Sequence, residues 1–176
     1  LGLLPVPPGL MTPYGHAHEL LFGFALAVVA GYLLGPQPLR LTLLLLASWA
    51  AARLGWLFWP GGWLAIMGAA LFAGALAWKV VPRFVGAKKW RNQSVAPLVI
   101  VLGLASVLGS AHFALDSALL SGTVLALTTL LFFMGGRIIA PALAGHAQSQ
   151  GGNLQARVQP RLEGAGLILL GLALIA

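Results

Sequence analysis

The chain has 176 residues, of which 60% are hydrophobic and only 7% charged, with a net charge of +7 and no cysteine. A water-soluble domain carries about 25% charged residues, so a solvated globule is excluded, and the missing thiols exclude disulfides, thiolate metal sites and cysteine catalysis. The mean hydropathy of +0.95 points instead to a membrane protein, and the positive balance to basic loops on the cytoplasmic side rather than to nucleic-acid binding.

The chain opens on Leu1 with a Pro-rich stretch and closes on an apolar run from Leu162 to Ala176. Both ends read as cuts in a longer protein. Between them, apolar runs of the ~20 residues that cross a bilayer recur. The fold expected is all-α: a polytopic transmembrane helix bundle of five full spans and one partial span, forming one domain over 1–176.

The first span is expected over about His16–Leu34, where Gly35-Pro36-Gln37-Pro38 breaks the helical hydrogen-bond ladder. The second runs about Leu39–Trp59, up to Pro60-Gly61-Gly62, and the third about Trp63–Val81, up to Pro82. A basic loop with Arg83, Lys88, Lys89 and Arg91 follows. The fourth span is expected over about Val95–Leu115 and the fifth over about Ala118–Ile139. Residues 141–160, rich in Gly and Gln, read as an exposed cytoplasmic loop before a partial sixth span from about Leu162.

Lys and Arg mark every second connection: Arg40, then Arg83 to Arg91, then Arg137 to Arg161. The turns at Pro60-Gly61-Gly62 and Asp116-Ser117 hold none. Basic loops stay in the cytoplasm, so the segment before His16 is expected outside. Trp56, Trp59 and Trp63 would flank the outer surface and Trp78 and Trp90 the inner one, as interfacial belts do. Small residues four apart, at Ala69-Ala73, Ala70-Gly74, Ala105-Gly109 and Ser106-Ser110, are candidates for close helix contacts.

Ionisable side chains at membrane depth are costly and mark function or a partner. His16, His18 and Glu19 open the first span, and His112 and Asp116 close the fourth. This topology brings both groups to the outer side. His16 and Glu19, three apart, share a helical face, whereas His18 points nearly the other way, at ~200° from His16. The two histidines then serve two sites, or one serves the interface, unless an irregular first turn after Pro13 lets both hold one ion. Neutral imidazole suits zinc, copper and haem iron alike, and Glu19 could orient a ligating ring. The bland alternative is a histidine in the headgroup layer beside a favourable first-turn acid. His146 falls in the exposed loop and reads as solvated. No phosphate-binding loop and no catalytic triad signature supports a kinase or a hydrolase, and nothing marks the chain as an enzyme.

Gly15-His16-Ala17-His18-Glu19-Leu20-Leu21-Phe22-Gly23-Phe24, followed by Ala30-Gly31-Tyr32-Leu33-Leu34, resembles the opening signature of the NnrS family. Trp90-Arg91-Asn92 with the later Pro97 and His112, and Phe133-Met134-Gly135-Gly136-Arg137, resemble two further elements of it. The resemblance implies a bacterial inner-membrane protein that carries haem b, copper or both and is linked to nitric oxide metabolism. This chain would be its first half. His16, His18 and His112 become the metal or haem ligands, with Glu19 beside them and Arg91 and Arg137 as partners for propionate-like anions at the inner side. One departure stands out: Leu34 passes straight to Gly35-Pro36-Gln37-Pro38, where family members usually carry a Thr-Ala-Val-Pro-Asn-Trp-Thr-Gly stretch. Besides the bilayer and the missing half, a larger respiratory or photosynthetic complex is a possible partner. The alternative readings are a non-catalytic subunit of such a complex and a transporter half with a proton-linked site at His16, Glu19 and Asp116.

Overall fold

The computed structural model describes residues 5–111, 117–152 and 160–175. Among the described residues six long helices follow a short turn at Pro8–Leu10: α1 Pro13–Leu34, α2 Leu39–Phe58, α3 Trp63–Val85, α4 Trp90–Ala111, α5 Ser117–Ser149 and α6 Pro160–Ile175. The first five are long and apolar enough to cross a membrane. No strand occurs among the described residues. The all-α spanning bundle expected from the run lengths is the fold observed.

Local chemistry sets the helix ends. Thr12 accepts a hydrogen bond from the Gly15 amide at 3.1 Å and Pro13 occupies the first turn, a favoured N-terminal arrangement. Helix α1 therefore starts three residues before His16. It ends at Gly35, whose φ of 60° suits glycine. Prolines proved weaker stops than expected. Helix α3 continues through Pro82 to Val85, and α5 through Pro141 to Ser149. Each proline removes one backbone donor, and the Ala-rich sequence after Pro141 resumes the helix. Residues 141–149, expected as loop, are thus helical, and Gly151 with φ of 79° closes the segment.

The chain divides into two compact units, Leu1–Val124 and Leu125–Ala176. In the first, α3 packs along both α2 and α4. Backbones approach closely there, because lipid gives helices no hydrophobic drive to associate and close packing must hold them. A Cβ on Gly68 would lie 2.8 Å from Ala52 Cα, and one on Gly103 3.1 Å from Ala73 Cβ. Ala69, Ala73, Ala105, Ser106, Gly109 and Ser110 are buried, as three of the four small-residue pairs predict. Gly74 instead faces open space. Large apolar side chains such as Leu46, Leu71 and Leu104 point outward, the reverse of a soluble core and the arrangement lipid favours.

Trp59, Trp63 and Trp90 are exposed at helix ends, and Trp78 is exposed about two turns before the end of α3 at Val85. Trp56 departs from the expected belt: it is 1% exposed and lies inside the unit. In the second unit, Leu130, Phe133, Met134 and Leu167 are buried, and Gly166 gives α6 room against the Phe132 ring, 2.7 Å from where a Cβ would stand.

Candidate functional site: a charged and aromatic cluster among α1, α2 and α4

Two of the residues singled out in the sequence, His18 and Glu19, meet in one cluster. His18 is completely buried. Its ring stacks on Trp56 of α2 at a centroid distance of 3.7 Å and 15° between planes. Phe22 and Tyr14 approach it edge-on at 5.1 and 6.1 Å. Its Nε2 lies 3.4 Å from Ser110 Oγ of α4, and its Nδ1 lies 3.6 Å from Glu19 Oε1 without forming a hydrogen bond. The same carboxylate oxygen accepts from Arg53 Nη1 at 3.0 Å. Arg53 is 6% exposed, and its Nε has no hydrogen-bond partner.

Arg53 was missed at the sequence level. The signal was present: a guanidinium inside the Leu- and Ala-rich α2 needs a counter-charge, and Glu19, Asp116 and Glu163 are the only acids in the chain. His16 and His18 point opposite ways, as the helical wheel predicts, with His16 exposed and His18 buried; it is His18 whose ring lies 3.6 Å from Glu19. Glu19–Ala25 is a π-helical segment inside α1. His18 closes the α-helical turn and Glu19 opens the π-helical one; adjacent in sequence, they lie about 100° apart, so His18 reaches Trp56 and Ser110 while Glu19 meets Arg53. The Trp49 indole donates to the Gly23 carbonyl at 2.8 Å and so satisfies an acceptor within that segment.

Helices α1 and α4 are direct neighbours at this end. The Tyr14 hydroxyl donates to the Gly109 carbonyl at 3.0 Å. A Cβ on Gly109 would stand 2.9 Å from Phe22 Cε2 and 3.4 Å from both His18 Cδ2 and the Tyr14 hydroxyl oxygen. Gly109 is therefore what lets the aromatic cluster close onto α4.

The other expected site residues lie elsewhere. His16 is exposed, and its Nδ1 is 3.1 Å from the Thr12 carbonyl. Arg91 sits at the start of α4, a helix whose 22 residues separate it from the cluster by about 30 Å. Arg137, in the second unit, is exposed and stacks over Phe133 at 4.1 Å. His112 and Asp116 lie outside the described residues. Among the described residues, no three His, Asp or Glu side chains converge as a metal site.

Haem and copper have different demands. The His18 ring is covered on one face by Trp56 and approached at both nitrogens, so a porphyrin does not fit against it in this arrangement. His16 fits better. Its Nδ1 faces a backbone carbonyl, the contact that usually fixes a ligating imidazole with Nε2 free, and its ring is open.

Several apolar membrane-length helices enclosing a buried ionic and aromatic cluster define a multi-pass membrane protein. A family model described as NnrS protein matches residues 3–176, and the chain belongs to the NnrS family. No curated protein and no solved structure matches it.

Proposed function

We propose that this chain forms the membrane-embedded part of a haem- or copper-binding protein of the bacterial inner membrane, linked to nitric oxide or respiratory metabolism. One observation carries the reading: His16, in the family's signature motif, has an open ring whose Nδ1 is turned to the Thr12 carbonyl at 3.1 Å. That contact leaves the Nε2 lone pair as the ligating position. Haem b or copper bound there would supply a redox-active centre able to take nitric oxide.

The chain's own residues do the rest. Thr12 fixes the His16 tautomer through its carbonyl and starts the helix through its hydroxyl. The His18–Trp56 stack and the Glu19–Arg53 pair hold the α1 end rigid against α2 and α4. His112 is proposed as the second ligand. Arg91 is assigned to an anion at the opposite end of the bundle, since it is too far to serve the same group as His16. Arg137 is assigned to an anion at the inner face.

An absorption spectrum and metal analysis of the purified full-length protein test this reading. A Soret band with iron, or stoichiometric copper, supports it. A colourless, metal-free protein that co-purifies with a larger membrane complex would replace it with a non-catalytic subunit role.

A further inference from the structure

We propose that the groove between α1 and α2 binds a membrane hydroquinone, with its ring at the Glu19–Arg53 pair and its isoprenoid tail along the helix seam. The polar end is a cavity of about 570 Å³, open on one side and lined by Glu19, Gly23, Trp49 and Arg53, with Phe24 and Val28 as apolar walls. A second groove of about 350 Å³ shares Ala27 and Trp49 with it and continues along the same two helices to Leu34 and Gly35. From Glu19 to Leu34 the seam runs about 22 Å at 1.5 Å per residue. A few polar groups at one end of an otherwise apolar trough are what fix the orientation of an amphiphile.

The polar end chooses the headgroup. Glu19 and Arg53 are in contact with each other, so the site is a neutral donor–acceptor pair. An anionic lipid phosphate gains no net attraction there, because the Arg53 charge is already compensated by Glu19. A hydroquinone hydroxyl donates to Glu19, and its oxygen accepts from the Arg53 guanidinium, since both side chains line the cavity. Gly23 matters here, because a Cβ would stand 2.8 Å from Glu19 Oε2 and 3.1 Å from Arg53 Nη1. Depth agrees as well. Arg53 stands five residues inside the end of α2 at Phe58, about 8 Å along the axis, deeper than a lipid phosphate but within reach of a quinol ring. A benzoquinone has acceptors only and gives the carboxylate nothing, so the reduced form is selected.

The site is independent of any haem, and its test does not read one. Full-length protein in nanodiscs is equilibrated with decylubiquinol or decylubiquinone under anaerobic conditions, and the ligand retained after gel filtration is extracted and quantified. Wild type is expected to retain the quinol about tenfold more tightly than the quinone, and Val28→Trp, which fills the groove from its lipid-facing wall, to weaken quinol binding about tenfold. Glu19→Gln should erase the preference for the reduced form. Equal retention by wild type and Val28→Trp would overturn the proposal. So would displacement of the quinol by phosphatidylethanolamine, which would assign the groove to a zwitterionic lipid.

Discussion

Glu19 on α1 and Arg53 on α2 form an ion pair at 3.0 Å in which the guanidinium is almost fully buried. Breaking a buried pair by removing one partner leaves an uncompensated charge and costs about 3–5 kcal/mol, whereas replacing both with apolar residues is often neutral. Glu19→Ala should therefore lower the yield and the thermal midpoint of the protein in detergent. Glu19→Leu with Arg53→Leu should recover most of the loss. A double variant as unstable as the single one would show that an uncompensated buried charge is not the source of the loss.

Glycines in similar sequence surroundings should respond oppositely. Gly109→Ala puts a methyl group 2.9 Å from Phe22 and 3.4 Å from His18, and overpacking of this kind costs about 1–3 kcal/mol. Gly74→Ala meets nothing within 4 Å and should gain up to about 1 kcal/mol of helix propensity. Thermal unfolding followed by tryptophan fluorescence separates them, and equal shifts would contradict the packing described for α4.

Much of the fold was legible because membrane helices announce themselves by length. Runs of ~20 apolar residues and the Gly-Pro breaks at Gly35-Pro36 and Pro60-Gly61 gave the helix number and order. Pro82 and Pro141 were overread as stops, since a helix can lose one donor and continue. The site was half legible. His18 and Glu19 stand out as costly polar groups, and the topology brings them to the same side as the end of α4. Arg53 was overlooked among leucines and alanines, and Trp56 was assigned to the interface because its neighbour Trp59 belongs there. The regular wheel separates His16 from His18, but which of the two turns inward is set by packing on Trp56, Phe22 and Ser110, which lie far along the chain or leave no mark in the motif.

The end of the bundle that carries Arg83, Lys88, Lys89 and Arg91 is expected in the cytoplasm. The chain has no cysteine, so Ala87→Cys introduces a single thiol into that connection. A membrane-impermeant maleimide should label it only after the cells are permeabilised. Labelling in intact cells would invert the topology and put His16 on the inner side.

On the proposed reading His16 is a ligand while His18 is a packed member of the cluster, and replacing each with Gln in the full-length protein separates the two roles. His16→Gln should insert and purify in normal amounts but lose its haem or copper, because an exposed side chain contributes little to packing. His18→Gln should keep the cofactor and lose stability, because it removes the ring stacked on Trp56 at 3.7 Å. Metal content and the Soret absorbance per chain give the answer. Loss of cofactor in His18→Gln with full retention in His16→Gln would contradict the assignment.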